Sequence, residues 1–261
     1  MLSLKEIKKY YPATLQIHER FIMREYLQYK ILEIVFDTQY QQKLSFLGGT
    51  CLRIVYDNNR FSENLDFDNF KLSLHDFREI TKSIEQELIR LGFDVEMRNT
   101  HRGAYHCYIR FPELLYNEGL SNYKEEKILI QLDTESHNFD YKPDPIVLNK
   151  FDVFTQINVT PADILLSQKF YALINRKRNK GRDFFDIVFL LARGLTPNYE
   201  YLKAKINIEN PEELRSIILE KCDKLSMEDM AEDVKAFLFN PRDLKKILLF
   251  PKYIEQANLK K

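Results

Sequence analysis

The hydrophobic pattern divides the chain into a mixed front part and a helical rear part. Apolar residues at helical spacing predict one or two helices within residues 12–43 and another over residues 74–91, where Gly92 is a typical helix end. Short apolar or alternating runs predict strands at residues 44–47, 61–70, 93–97, 105–111 and 127–132. The front part is therefore expected to form a sheet with flanking helices.

After about residue 155 the pattern predicts helices only. Thr160-Pro161, Asn210-Pro211 and Asn240-Pro241 each join a capping side chain to a proline at the first helical position, so they predict at least three helix starts. We therefore predict an α+β fold. Residues 1–150 would form a mixed-sheet lobe with N-terminal helices, and residues 151–261 a helical domain that completes an active-site cleft.

The composition argues against several classes of protein. The 261 residues include 39 Lys+Arg and 39 Asp+Glu, and this balance argues against a protein that coats a polyanion with its whole surface. Cys51, Cys107 and Cys222 lie far apart, which argues against a disulfide framework or a zinc site and makes the cytoplasm the expected location. No uninterrupted apolar run approaches about 18 residues, so no membrane span is expected.

Two motifs point to a metal–nucleotide site. Gly48-Gly49-Thr50 lies between a predicted strand and a short predicted helix, and such a turn lets the backbone and the first helical N–H groups approach a phosphate. Asp66 and Asp68, two positions apart on a predicted strand, point to the same face. Like charges held so close are costly unless a cation lies between them, and Mg²⁺ with substrate phosphates meets that demand.

Further charged residues could extend this site. Asp133 ends a predicted strand, and it is either a third carboxylate beside Asp66 and Asp68 or an ordinary turn residue. Lys169 shares a helical face with Arg176, and this face either neutralises a triphosphate or faces solvent.

The remaining candidates are ion-pairing residues near these motifs. Arg182, Asp183 and Asp186 open a predicted helix, and either one of them reaches the nucleotide or Arg182 pairs with Asp186 and locks two helices together. Arg53 and Arg60 flank the glycine and aspartate motifs, where they either contact phosphate or brace the carboxylates.

The order and spacing of these motifs resemble the AbiEii/AbiGii family of nucleotidyltransferase-like toxins. The resemblance rests on Leu47–Arg53, on Arg60–Asp68 and on the block from Lys169 to Asp186, and it covers roughly residues 40–195. It implies a DNA polymerase β-like nucleotidyltransferase fold with a helical extension. It also implies the toxin of a bacterial toxin–antitoxin or phage-defence pair, whose cognate antitoxin carries a winged-helix domain.

The resemblance also implies roles for individual residues. The implied Mg²⁺ ligands are Asp66, Asp68 and Asp133, and the catalytic set adds Lys169 and Asp186. The residues expected to bind the nucleoside triphosphate are Gly48, Gly49, Thr50, Arg53, Lys169, Arg182 and Asp183.

The expected reaction is in-line attack of a hydroxyl on the α-phosphorus of a nucleoside triphosphate, and the resemblance implies the 3′ end of a tRNA as acceptor. Two alternatives stay open at this point. One is a nucleotide-binding module without turnover, and the other is a nucleotidyltransferase that modifies a protein or a small molecule. Motifs that touch only phosphate and metal fix neither the base of the triphosphate nor the acceptor.

Overall fold

The computed structural model describes residues 1–260, apart from the side chain of Arg102, and contacts divide them into two compact units. The first, here called the sheet unit, contains Met1–Tyr56, Phe61–Asn138 and Pro143–Val159. The second, the helical unit, contains Asp57–Arg60, Phe139–Lys142 and the chain from Thr160 onward. Within the described residues, none of the helices combines the length and the apolar character that crossing a bilayer requires.

The sheet unit contains a mixed sheet and flanking helices. Its strands are β1 (Leu44–Leu47), β2 (Leu65–Asn69), β3 (Glu96–Arg102), β4 (Ala104–Phe111), β5 (Ile128–Glu135), β6 (Asp144–Lys150) and β7 (Val153–Val159). Its helices are α1 (Leu4–Lys8), α2 (Glu19–Phe36), α3 (Gly48–Tyr56), α4 (Leu74–Arg90) and α5 (Leu114–Asn117). The strand order is β3-β4-β5-β2-β1-β7-β6. The β2–β5 and β1–β7 pairs are parallel, and the other pairs are antiparallel.

Helix α4 shows how local sequence sets the ends of an element. Ser73 caps its start in a capping box. At its other end, Gly92 adopts a φ of +90°, in the left-handed region that glycine favours. The N–H of Gly92 donates to the carbonyl of Ile89 at 2.9 Å, and the N–H of Phe93 donates to that of Leu88 at 3.0 Å. This is the Schellman pattern, so the predicted helix end at Gly92 is confirmed.

The hairpin formed by β6 and β7 was not predicted. Residues 153–159 were assigned to the helical part, yet they form β7, in which Val153, Ile157 and Val159 alternate with more exposed positions and enter the core. Pro145 lies on β6, the last strand of the sheet, where the missing N–H is tolerated. Strand β5 also continues past residue 132, so Asp133 lies within a strand and not at its end.

The helical unit consists of helices joined by short connections. They are α6 (Ala162–Asn175), α7 (Gly181–Ala192), α8 (Tyr199–Ile206), α9 (Pro211–Asp223), α10 (Met227–Lys235), α11 (Lys245–Leu248) and α12 (Phe250–Gln256). Asn210 caps α9 by accepting from the N–H of Glu213 at 2.9 Å, and Asn240 caps a 3₁₀ turn, as predicted. The predicted cap by Thr160 is wrong, because its hydroxyl lies 3.0 Å from that of Tyr141 and Pro161 precedes α6 without a side-chain cap.

Candidate functional site

Two aspartates of β2 project from one face of the sheet. The alternate residues, Leu65 and Phe67, are 0% and 2% exposed and belong to the core. Because side chains alternate along a strand, Asp66 and Asp68 share the opposite face. Asp68 is buried and Asp66 is half-buried, so the pair lies at the border between protein and solvent.

Gly48 receives the Asp66 carboxylate at the start of α3. The register of β1 and β2 places Leu47 opposite Asp66, and Gly48 follows with a φ of +82°. A Cβ atom on residue 48 would clash with Oδ2 of Asp66. Glycine is therefore required here twice, by the backbone conformation and by the close approach of a carboxylate.

Thr50 fastens α3 to the strand that carries the aspartates. Its side chain is fully buried, and the hydroxyl donates to the carbonyl oxygen of Asn64, immediately before β2. The hydroxyl is thus engaged with the backbone in this conformation. The first turn of α3, which begins at Gly48-Gly49, can still offer its backbone N–H groups to an anion. These N–H groups have no acceptors within the helix.

Asp133 and His106 extend the acidic face across neighbouring strands. Asp133 is the Cα partner of Asp66 on β5, and His106 is its partner on β4, so the three residues form a row on one face. The Nδ1 atom of His106 lies 2.6 Å from Oδ1 of Asp133, while Gln131 donates to both carboxylate oxygens at 2.8 and 3.1 Å. His106 belongs to none of the motifs that predicted the site, and only the sheet register makes it part of this face.

Asp68 is held by the segment after β5. Its Oδ1 accepts from the backbone N–H of His137 at 2.9 Å. The imidazole Nδ1 of His137 lies 3.2 Å from the same oxygen, although it is not aligned as a hydrogen bond. The carboxylate is therefore fixed in direction by a neighbouring main chain.

These carboxylates suit a hard cation better than a soft one. In the described part of the chain, no group of three or more His, Cys, Asp or Glu side chains is arranged as a ready-made metal cage. Mg²⁺ does not require such a cage, because it is commonly bound by one or two carboxylates together with water and substrate phosphates. Asp66 and Asp68 beside the glycine turn fit that donor set.

Arg53 has a different partner from either of those expected. Arg53 is 9% exposed and pairs with Glu25 of α2 through Nε and Oε2 at 2.9 Å. Lys150 reaches Oε1 of Glu25 at 2.8 Å. Burial alone would raise the pKa of the Glu25 carboxyl, but the charges of Lys150 and Arg53 hold it below its usual value. Arg53 therefore anchors α3 on α2, and this geometry does not support a phosphate contact.

The helical unit contains a cluster of charged residues that were predicted to belong to the site. Arg60 and Asp186 are 1% and 0% exposed and form a double hydrogen bond, with Nε to Oδ1 at 2.7 Å and Nη2 to Oδ2 at 2.6 Å. Lys169 places Nζ 2.7 Å from Oδ2 of Asp186 and 3.3 Å from Oδ1 of Asp183. The partners of Asp186 are therefore Arg60 and Lys169, in place of the expected Arg182.

Electrostatics keep the Asp186 carboxylate charged. Burial alone would raise its pKa, but the positive charges of Arg60 and Lys169 outweigh burial and lower it. Asn58 donates a further hydrogen bond to Oδ1 at 2.8 Å. A carboxylate so enclosed can position Lys169, but it is not exposed to a substrate.

The family assignment agrees with this fold and these motifs. A family model described as nucleotidyl transferase AbiEii toxin, type IV TA system, matches residues 30–253. The chain belongs to the AbiEii family. The match reaches beyond residues 40–195, where the motifs had suggested the likeness, and includes most of the C-terminal helices. The predicted nucleotidyltransferase toxin is confirmed at this level, and membership of the family implies a nucleoside triphosphate substrate and points to an antitoxin partner.

Two solved structures share the fold of this AbiEii-family chain. JHP933 from Helicobacter pylori is 18% identical, with a TM-score of 0.56 over 91% of each chain. A candidate nucleotidyltransferase from H. pylori is also 18% identical, with a TM-score of 0.54 over 90% of this chain and 94% of its own. At such identity the likeness shows the fold alone. No curated protein matches the sequence.

The close approach at Gly48 leads to a matched pair of variants. Gly48→Ala should lower transferase activity and destabilise the fold, because its Cβ displaces the Asp66 carboxylate as well as straining the backbone. Gly92→Ala is the control, since Gly92 has a similar φ but nothing within 4 Å of an added Cβ. It should lose only about 1–2 kcal/mol of stability. Melting curves and label transfer separate the two effects, and equal activity in both variants would contradict the close approach.

Proposed function

We propose that this AbiEii-family protein is a Mg²⁺-dependent nucleotidyltransferase that transfers a nucleoside monophosphate to an RNA hydroxyl, with the 3′ end of tRNA as the acceptor. The observation that carries the proposal is the acidic face of β2, where Asp66 and Asp68 share one side of the sheet and Gly48 admits the Asp66 carboxylate. A site of two carboxylates beside a glycine turn and a helix N-terminus suits a metal-bound triphosphate.

Each part of the sheet-unit site would have one task. Asp66 and Asp68 would hold Mg²⁺, which when bound stabilises charge on the attacking and leaving oxygens. The first N–H groups of α3, at Gly48-Gly49 and Thr50, would receive phosphate oxygens. Asp133 would complete the carboxylate set and help to remove the proton of the acceptor hydroxyl, with its direction fixed by Gln131.

Lys169 would supply positive charge for the leaving pyrophosphate. Its side chain is 11% exposed, and Asp183 and Asp186 hold its Nζ at 3.3 and 2.7 Å. In this proposal those two carboxylates are positioning residues. The predicted triphosphate contacts of Arg182 and Asp183 gain no support from these distances.

A second candidate is a nucleotide-binding module without turnover, which the same carboxylates and glycine turn would also suit. The two candidates differ in whether a covalent product forms.

The decisive experiment incubates the protein with total cellular RNA and each of four α-labelled nucleoside triphosphates, with Mg²⁺ or with EDTA. We expect Mg²⁺-dependent label on a tRNA-sized band. Label on protein alone would replace the RNA acceptor with a protein acceptor. Triphosphate binding by calorimetry without any labelled product would favour the binding module and overturn the transferase.

A further inference from the structure

A short basic segment runs from the end of α6 into the first residues of α7. Residues 176–182 contain five cationic side chains, Arg176, Lys177, Arg178, Lys180 and Arg182. In a chain whose formal net charge is zero, this is a marked local excess of positive charge. The first three of these residues are exposed. We call residues 176–182 the basic loop.

Only part of this charge is neutralised within the protein. Arg176 pairs with Asp183 at 2.8 Å, and Lys180 lies 3.9 Å from Asp233. Among the described residues, no acidic side chain comes within ion-pair distance of the other three cations, Lys177, Arg178 and Arg182. The basic loop therefore presents net positive charge to solvent.

Buried contacts fix the backbone of the basic loop. Asn179 is 8% exposed and donates from Nδ2 to the carbonyl of Leu173 at 2.7 Å. The N–H of Gly181 donates to Asp233 at 2.9 Å, and a Cβ on residue 181 would clash with the carbonyl oxygen of Met230. Because the frame is held at these points, less conformational entropy is lost when a ligand binds the loop than for a free segment.

A sixth cation lies at the start of the loop. Lys221 of α9 donates from Nζ to the carbonyl of Ile174, near the C-terminal end of α6, at 3.2 Å. A helix C-terminus attracts cations through its unpaired carbonyl groups, so this lysine is held beside the loop. The positive surface thus joins α9 to the α6–α7 connection.

We propose that the basic loop docks the phosphate backbone of the RNA acceptor, an inference that rests on the proposed function. Arginine offers paired donors that match phosphate oxygens, and exposed lysines add point charges along the same segment. The loop sequence Arg-Lys-Arg-Asn-Lys-Gly-Arg contains no apolar side chain, so it lacks the group that membrane-surface segments insert into lipid. The absence of such a group favours a nucleic acid over an anionic membrane as the partner of the loop.

The test compares two double variants that remove the same charge. Lys177→Gln with Arg178→Gln changes the loop, whereas Arg78→Gln with Lys82→Gln changes an exposed pair on α4. Binding of fluorescently labelled single-stranded RNA is followed by anisotropy, without triphosphate or Mg²⁺. The loop variant should bind about tenfold more weakly at 0.2 M salt and lose about 1.4 from the slope of log K against log salt, for two phosphate contacts. The α4 variant should bind like the unmodified protein.

Several outcomes would overturn the inference. Equal weakening in both double variants would show a general charge effect, and unchanged RNA binding in the loop variant would remove the loop from the interface. Loss of binding to phosphatidylserine vesicles in the loop variant, with RNA binding intact, would assign the loop to a membrane. Because binding is measured without turnover, an inactive protein that still binds RNA through the loop would overturn only the proposed function. If the loop variant transfers nucleotides to RNA with an unchanged KM for RNA, only the docking role of the loop is overturned, and the proposed function stands.

Discussion

Asp68→Asn and Asp66→Asn should each reduce nucleotidyl transfer by about 1,000-fold or more while the protein stays folded. Several kcal/mol of charge stabilisation depend on a metal held by these carboxylates, and about 1.36 kcal/mol corresponds to a tenfold change in rate. Asparagine keeps an oxygen that can accept from the N–H of His137, so the local hydrogen bond survives. Label transfer measures the loss, and thermal melting confirms the fold.

A nearby carboxylate provides the control for these variants. Glu135 is the Cα partner of Asp68 on β5 and is exposed, so Glu135→Gln removes a negative charge from the same row of the sheet. It should leave transfer within a few-fold of the unmodified protein, because surface charges act weakly through solvent. Growth arrest on expression gives a second readout: an equally toxic Asp68→Asn variant would contradict a catalytic role for Asp68.

What could be predicted from sequence was local in character. The shared face of Asp66 and Asp68 follows from the two-residue repeat of a strand, and the end of α4 at Gly92 follows from a single glycine. Both need only neighbours in the chain. The turn at Gly48 was recognisable for the same reason, although its approach to Asp66 depends on how β1 pairs with β2.

The parts that escaped prediction depend on partners distant in sequence. Arg60 and Asp186 are 126 residues apart, and nothing near Arg60 indicates its partner. His106 joins Asp133 only through the register of β4 and β5. The β6–β7 hairpin is a different case, because the alternate placement of Val153, Ile157 and Val159 is visible in the sequence, yet these residues were assigned to the helical part.

The second large effect is expected in the helical unit. Asp186→Asn should lower the free energy of unfolding by about 3–5 kcal/mol, because it removes the counter-charge of the fully buried Arg60 and of Lys169. Arg60→Met should cost less, since Lys169 still neutralises Asp186. Urea unfolding measures both values.

A double-mutant cycle shows whether the pair acts as a unit. The combined Arg60→Met, Asp186→Asn variant should be more stable, by about 1–3 kcal/mol, than the sum of the two single-variant losses predicts. In the double variant both charged side chains of the pair are gone, so neither is left without the other. The control is the exposed pair of Lys224, the residue after α9, and Glu220 of α9, whose side chains are 66% and 68% exposed. Its coupling should be about 0.3–0.5 kcal/mol. A coupling for the buried pair no larger than this would contradict its structural role.

The same buried pair predicts how acid affects stability. Although burial alone would raise the pKa of Asp186, Arg60 and Lys169 hold it below the ordinary value of 3.8. As the pH falls below 3.8, the unfolded chain takes up this proton before the folded one does, so the contribution to stability is complete above that pH and is lost as the pH falls through the folded pKa. Arg60→Met should raise the pKa of Asp186, because only Lys169 then offsets the effect of burial. Acid unfolding should therefore move to higher pH. An unchanged acid midpoint in this variant would show that Arg60 does not set the charge state of Asp186.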